Sequence, residues 1–242
     1  MRLLAFDTAT PATTVALALG DENVFTRRHE PGPGERPGHV SELLPLALAL
    51  LDEAEIGFAQ LDRIAVGIGP GTFTGLRIGV ATARALAHAH DVPLVGVSTL
   101  RALAAAEPAA DAPAILAVLD ARRGEAFAAA WVGPRTGGAD EIGSAPLLEP
   151  VAVAPAALAE AAALLPTGTL AVGDGAIKFR AVLETAGIVV PTDDSAAHRV
   201  EAAVHARLAA GMEPGASDAV RPAYLRLPDA ELALRARRAE TS

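Results

Sequence analysis

Two aspartates hold the positions from which chemistry would most readily start. Each closes an apolar run and opens a polar turn: Asp7 in Asp7-Thr8-Ala9-Thr10, Asp120 in Asp120-Ala121-Arg122-Arg123-Gly124. A carboxylate at the end of a strand, followed by threonine and glycine, can position Mg²⁺ while the backbone wraps a nucleotide's phosphates. Alanine stands at the glycine position of the first turn, and two arginines occupy the second. Each aspartate serves equally well as the cap of a strand turn. Gly173-Asp174-Gly175-Ala176 offers an adenosine-side loop, but a short one of a kind common in turns. These residues define one reading of the chain: an autonomous ATP-dependent phosphotransferase using Asp7 and Asp120.

The densest signal is Gly67-Ile68-Gly69-Pro70-Gly71-Thr72-Phe73-Thr74-Gly75-Leu76-Arg77-Ile78-Gly79, set between an apolar run and a long helical pattern. A dinucleotide fingerprint needs a third glycine where Thr72 or Thr74 stands, and a Walker loop needs a lysine this stretch lacks. Two readings stay open. An anion cradle would draw on Gly71, Thr72 and Arg77 beside Asp7 and Thr8. Alternatively, Gly71, Gly75, Gly79, Ala83 and Ala87, four apart on one helical face, permit unusually close packing.

Other catalytic constellations are thin. Of six histidines, His88 and His90 diverge on a helix, while His198 and His205 share a face that Arg199 and Arg207 mark as solvated. Ser98-Thr99 ends a strand, but nothing nearby supplies a base. Cysteine is absent, which excludes thiolate catalysis and thiolate metal sites.

The elements that must carry these residues follow from periodicity and turn signals. Strands are expected at 3–7, 14–19 and 24–29, with a turn at 20–23. A helix at 38–55, a strand at 63–68, a helix at 74–90 and a strand at 94–97 follow. The second half restarts the plan with strands at 114–120 and 126–132, a loop at 133–143 and a strand near 147–153. Helices at 155–165, 177–186 and 196–210 and a strand at 170–172 complete it. Three antiparallel strands followed by helix–strand–helix–strand is the order of a ribonuclease-H-like lobe. The expected class is α/β: a two-lobed, actin-like fold, a duplicated ribonuclease-H-like unit with an abbreviated second lobe. Residues 1–105 form the first lobe, with 106–242 the smaller second lobe and tail.

The helix at 38–55 is apolar nearly all round, with Leu43-Leu44-Pro45-Leu46-Ala47-Leu48-Ala49-Leu50-Leu51. Pro45 is acceptable there if Ser41 is the N-cap. Such a helix needs burial on two sides, against its own sheet and against a further element or a partner. A net charge of −9 argues that, if the process involves RNA, another subunit holds it. An aspartate at position 7 arrives too early for a signal peptide, and apolar runs break before about 18 residues, too short to span a membrane. A cytoplasmic chain is expected.

Taken together, several motifs resemble the TsaB (YeaZ) family. They are Leu4-Ala-Phe-Asp-Thr-Ala-Thr10, His39-Val-Ser-Glu-Leu-Leu-Pro45, the 69–79 run, Val97-Ser-Thr-Leu100, Asp120-Ala-Arg122, Val172-Gly-Asp-Gly175 and Pro222-Ala-Tyr-Leu-Arg226. The resemblance implies a non-catalytic relative of the transferase TsaD, serving threonylcarbamoyladenosine formation beside the tRNA anticodon. It implies pairing with TsaD through the first two helices, with the ATPase TsaE joining and tRNA met only through the complex. The pairing face would hold His39, Leu43, Leu46, Leu50, Thr74, Gly75, Ile78, Gly79 and Ala83, and a homodimer on that face is the alternative in isolation. Thr99 and Leu103 stand where the transferase carries its metal-binding histidine pair. No cofactor of its own is implied, with ATP or ADP left open at the interface. On this reading Leu46→Glu or Gly79→Leu abolishes pairing while the monomer stays folded.

Overall fold

The computed structural model describes residues 1–20, 22–106, 112–133 and 145–226. Asp21 of the expected turn, residues 134–143 of the expected loop at 133–143 and the basic tail at 235–238 lie outside the described residues. Two sheets organise the rest. The first is built from β1 (Arg2–Asp7), β2 (Thr13–Leu19), β3 (Val24–His29), β4 (Arg63–Gly69) and β5 (Leu94–Ser98), in the order β3-β2-β1-β4-β5. β1–β2 and β2–β3 pair antiparallel, β1–β4 and β4–β5 parallel. The second contains β6 (Ala114–Arg122), β7 (Glu125–Val132), β8 (Pro146–Val153) and β9 (Leu170–Val172), ordered β8-β7-β6-β9. Its pairings repeat the first sheet's pattern, antiparallel across β6–β7–β8 and parallel across β6–β9. The counterpart of β5 is missing among the described residues. This is the duplicated, actin-like α/β fold with an abbreviated second lobe.

Strand alternation decides what covers each face. From β1, Leu4 and Phe6 meet α1 (His39–Glu53) and α2 (Phe73–His90) through Leu43, Leu50, Leu51, Val80 and Ala83. Leu3 and Ala5 point the other way, onto Ala202, Ala206 and Ala209 of α7 (Ala202–Ala210). In the second sheet Leu116 and Val118 meet α4 (Pro155–Ala163) and α6 (Arg180–Thr185) through Leu158 and Leu183. Ile115, Ala117 and Leu119 meet Leu100 and Leu103 of α3 (Thr99–Ala106). That helix sits between the lobes, with Ser98 Oγ accepting the Arg101 N–H at 3.3 Å at its start, and its eight alanine-rich residues gave no expectation of a helix. The last α-helix among the described residues, α7, returns to the first sheet, held at its end by Arg63, whose guanidinium donates to the carbonyls of Ala209 and Met212.

Three expected boundaries change. Ser41 is not the N-cap of α1: Gly38 is, its carbonyl accepting from Ser41 and Glu42 N–H groups at 3.0 and 2.8 Å. Pro45 therefore lies inside the helix, tolerated on its exposed side, where the freed Ser41 carbonyl can meet water. The expected helix at 177–186 is two short ones, α5 (Asp174–Lys178) and α6, broken at Phe179. The expected helix at 196–210 gives only a short 3₁₀ turn at Ala196–His198 before α7. Arg28 Nη1 takes the Val200 carbonyl at 2.7 Å, and the chain between is extended.

Candidate functional site: the first turn and the outer face of the first helices

Asp7 ends β1 fully buried. One carboxylate oxygen accepts the Ala9 N–H at 2.7 Å, closing the turn locally. The other accepts the Thr99 hydroxyl at 2.7 Å and lies 2.9 Å from His205 Nε2. Burial alone would push this carboxyl up; His205, the Ala9 N–H and the Thr99 hydroxyl outweigh it and hold it below the usual carboxylate range. Thr99 and His205 are themselves fully buried. The arrangement looks like a nucleophile with its base, but no substrate can reach it, so its work is to pin α3 and α7 to the end of β1.

The glycines resolve into the close-packing reading. A Cβ at Gly67 would stand 1.8 Å from Asp7 Oδ2, at Gly71 2.4 Å from Ala9 O, at Gly75 2.0 Å from Thr8 O and at Gly79 2.4 Å from Thr8 Oγ1. The turn Asp7-Thr8-Ala9 thus lies in the groove these glycines leave on β4 and α2. Thr8 donates to Gly75 O at 2.8 Å and Thr72 N–H to Ala9 O at 2.8 Å, which stitches turn to helix. The anion cradle drawn on Asp7, Thr8, Gly71 and Thr72 is filled by the chain itself. Arg77 is exposed, its guanidinium 3.9 Å over Phe73 and its Nε donating to Tyr224 Oη at 3.3 Å.

The second turn is occupied in the same way. Lys178 Nζ contacts Asp120 Oδ1 at 2.7 Å, and the same oxygen accepts from Arg122 N–H at 2.8 Å. Asp174 caps Asp120 N–H at 3.0 Å, and burial pushes its carboxyl up. A Cβ at Gly173 would lie 2.1 Å from Val118 O, so the expected adenosine-side loop is packed on β6. Two aspartates already committed to the chain's own cations and N–H groups do not fit Mg²⁺. Among the described residues no group of three acidic, histidine or cysteine side chains converges as metal ligands.

His198 and His205 depart from expectation: both are buried, and they sit in different elements. His198 Nδ1 meets the Gly173 backbone, 3.0 Å from its carbonyl oxygen. Sequence spacing gave no signal for the His205–Asp7 contact, since the two lie near opposite ends of the chain.

The residues expected on a pairing face divide by burial. Gly75, Gly79 and Ala83 face inward, as do Leu43 and Leu50. Buried His39 touches Thr13 Oγ1 through Nδ1 at 2.8 Å, and burial pushes its imidazole down. Leu46 is half-buried on the core edge, Ile78 is half-buried and Thr74 is exposed. Gly79→Leu would strike Thr8 and cannot leave the monomer intact. What α1 presents outward is a stripe at helical spacing that the expectation passed over: Val40, Leu44 and Leu48, 80%, 42% and 45% exposed.

Residues 35–142 match the family model described as TsaD, tRNA N6-adenosine threonylcarbamoyltransferase. The chain is 38% identical over 128 residues to the tRNA threonylcarbamoyladenosine biosynthesis protein TsaB of Escherichia coli, covering 52% of this chain and 53% of that protein. An uncharacterised protein of Mycobacterium bovis is 38% identical over 157 residues, covering 60% of this chain and 69% of its own. The solved YeaZ structure from Pseudomonas aeruginosa superposes with a TM-score of 0.73 at 25% identity, covering 93% of this chain and 99% of that one. The matched stretch spans about half the length of the E. coli relative. Among the described residues no helix is long and apolar enough to cross a membrane. On these likenesses and the two-sheet topology, the chain belongs to the TsaB (YeaZ) family.

Proposed function

We propose that this protein is a non-catalytic pairing subunit in threonylcarbamoyladenosine formation on tRNA, docking the transferase through the outer side of α1 and the adjoining exposed side of α2. The observation that carries the reading is the Val40-Leu44-Leu48 stripe. Its helix already fills the core with its other side, yet leaves three large apolar side chains in water at i, i+4 and i+8. A contiguous apolar strip of this kind favours a protein partner, since covering it removes apolar surface from water at about 25 cal/mol per Å². The partner proposed is a TsaD-like transferase, with a TsaE-like ATPase joining the pair and tRNA reached through the complex; the likeness to TsaB proteins and to the TsaD family model supports the first of these.

A non-catalytic role agrees with the site chemistry. Thr99 and Leu103 are both fully buried, the first serving Asp7 and the second packed between the lobes. An autonomous phosphotransferase would need Asp7 and Asp120 free to meet Mg²⁺ and phosphate, and both are engaged within the chain. A nucleotide, where the assembly uses one, is assigned to the interface with the transferase. The test is reconstitution: purified transferase and ATPase are supplied with threonylcarbamoyl-adenylate and tRNA, with and without this chain. Modification that depends on the chain supports the reading. Equal modification without it, or Mg-dependent ATP turnover by the chain alone that Asp120→Asn abolishes, would overturn it.

A further inference from the structure

The segment after α7 does not finish on the lobe where it starts. Gly215 bridges Leu94 on the edge strand β5. Val220 packs against the first core, over Gly96, where a Cβ would stand 3.2 Å from its side chain. Ala223 N–H then donates to Ile68 O at 2.7 Å, extending the hydrogen bonding at the end of β4. The Tyr224 ring lies 5.1 Å from Phe73, and its hydroxyl accepts from Arg77. All these contacts belong to the first lobe. The next two residues reach the second: Leu225 packs on the cluster of Leu119, Phe127 and Trp131, which α3 joins through Leu100 and Leu103, and Arg226 Nη1 meets Glu125 Oε2 at 2.7 Å. Glu125 opens β7 at the β6–β7 hairpin, where Arg122, Arg123 and Gly124 all take left-handed φ.

We propose that residues 223–226 form a clasp that fixes the angle between the two lobes. Four contacts of different kinds fall on four consecutive residues: a backbone hydrogen bond, a ring contact backed by a cation, an apolar insertion and an ion pair. The first two grip the first lobe and the last two grip the second, so neither lobe can rotate without straining one pair. The same angle sets the width of the cleft between the lobes. That cleft is a cavity of about 280 Å³ lined by Thr10, Arg28, Asp174, His198 and Arg199 among others. Opening the clasp is therefore expected to open the cleft, and Phe73 and Arg77 place its first grip at the start of α2.

The test is amide hydrogen exchange on the full chain with the clasp cut at either end. Tyr224→Ala removes the ring contact from the first-lobe grip, leaving the Ala223 backbone bond, and Glu125→Ala removes the second-lobe ion pair. Tyr224 is 43% exposed and the Glu125 side chain 38%, so both variants keep the folded core. The clasp predicts crossed effects. Tyr224→Ala speeds exchange at the β6–β7 hairpin, and Glu125→Ala speeds it at the start of α2. Each should change by roughly two- to fivefold, the range a half-exposed contact permits. Faster exchange confined to the lobe that carries the substitution, or no change, would overturn the proposal.

Discussion

Gly75→Ala puts a single carbon where the chain has no room, and its effect follows from the geometry. The new Cβ would stand 2.0 Å from Thr8 O and 2.6 Å from Thr72 Oγ1, where ordinary contact is 3.4–4 Å. The nearer neighbour is the backbone of the β1 turn, which cannot step aside; the other is the side-chain hydroxyl of Thr72, the N-cap of α2, which can rotate away. Helix and turn must separate, which costs about 1–3 kcal/mol as overpacking. The 2.8 Å bond from Thr8 Oγ1 to Gly75 O stretches with them, at a cost of about 1 kcal/mol. Alanine's better helix propensity returns about 1 kcal/mol. The net loss is about 1–3 kcal/mol, and at roughly 2–4 °C per kcal/mol for a chain of this size the midpoint should fall by roughly 2–12 °C. Thermal unfolding followed by far-ultraviolet circular dichroism measures this. Gly124→Ala is the control: φ there is +80° with nothing within 4 Å of a Cβ, so backbone strain of about 1 kcal/mol is the whole cost. A Gly75→Ala midpoint no lower than that of Gly124→Ala would refute the account of the glycine stripe.

The first helix should show two kinds of leucine. Leu43→Ala loses about 2–5 kcal/mol because Leu43 is buried, whereas Leu44→Glu changes chemical-denaturation stability by no more than about 0.5 kcal/mol. Asp7→Asn weakens a buried network of two hydrogen bonds and a histidine contact, with an expected loss of about 2 kcal/mol or more. Its lowered folded pKa gives stability that is present above the unfolded carboxylate value and lost as pH falls through the folded one. The acid limb of a midpoint-versus-pH curve, below about pH 4, should therefore flatten in this variant. His39 acts at higher pH. Its imidazole is pushed down by burial, so the folded chain binds fewer protons than the unfolded one just below about pH 6.5. Wild-type stability should decline on acidification from there, and His39→Asn should remove that slope; an unchanged slope would exclude His39 as its source.

Much of this architecture was legible in the chain. Apolar runs at 3–7, 14–19 and 114–120, punctuated by glycine and polar turns, mark the strands, and the repeated order marks two related lobes. The four-residue spacing of Gly71, Gly75 and Gly79 puts small side chains on one helical face and so favours close approach, with the anion cradle left as the alternative until the structure fills that space. What spacing cannot supply is the identity of the approaching group. The groove receives Thr8 and Ala9 of this chain, where the family resemblance expected a partner. In the same way an all-round apolar helix calls for cover on two sides, but does not say which leucines face the sheet. That division depends on where β2 runs, and it puts Leu43 and Leu50 inside and Val40, Leu44 and Leu48 outside. His205 reaches Asp7 only because α7 folds back across the first sheet, a tertiary placement with no local signature, and the arginines beside it suggested solvent.

The most direct test of the central claim is a binding titration of this chain, wild type and Leu44→Glu, against its purified TsaD-like transferase, with thermal midpoints recorded in parallel. The account predicts a one-to-one pair for the wild type and, at an unchanged midpoint, affinity weakened at least roughly tenfold by a charge set in the apolar stripe. Equal affinity of the two proteins would contradict it, because the stripe on α1 would then not be the surface that pairs.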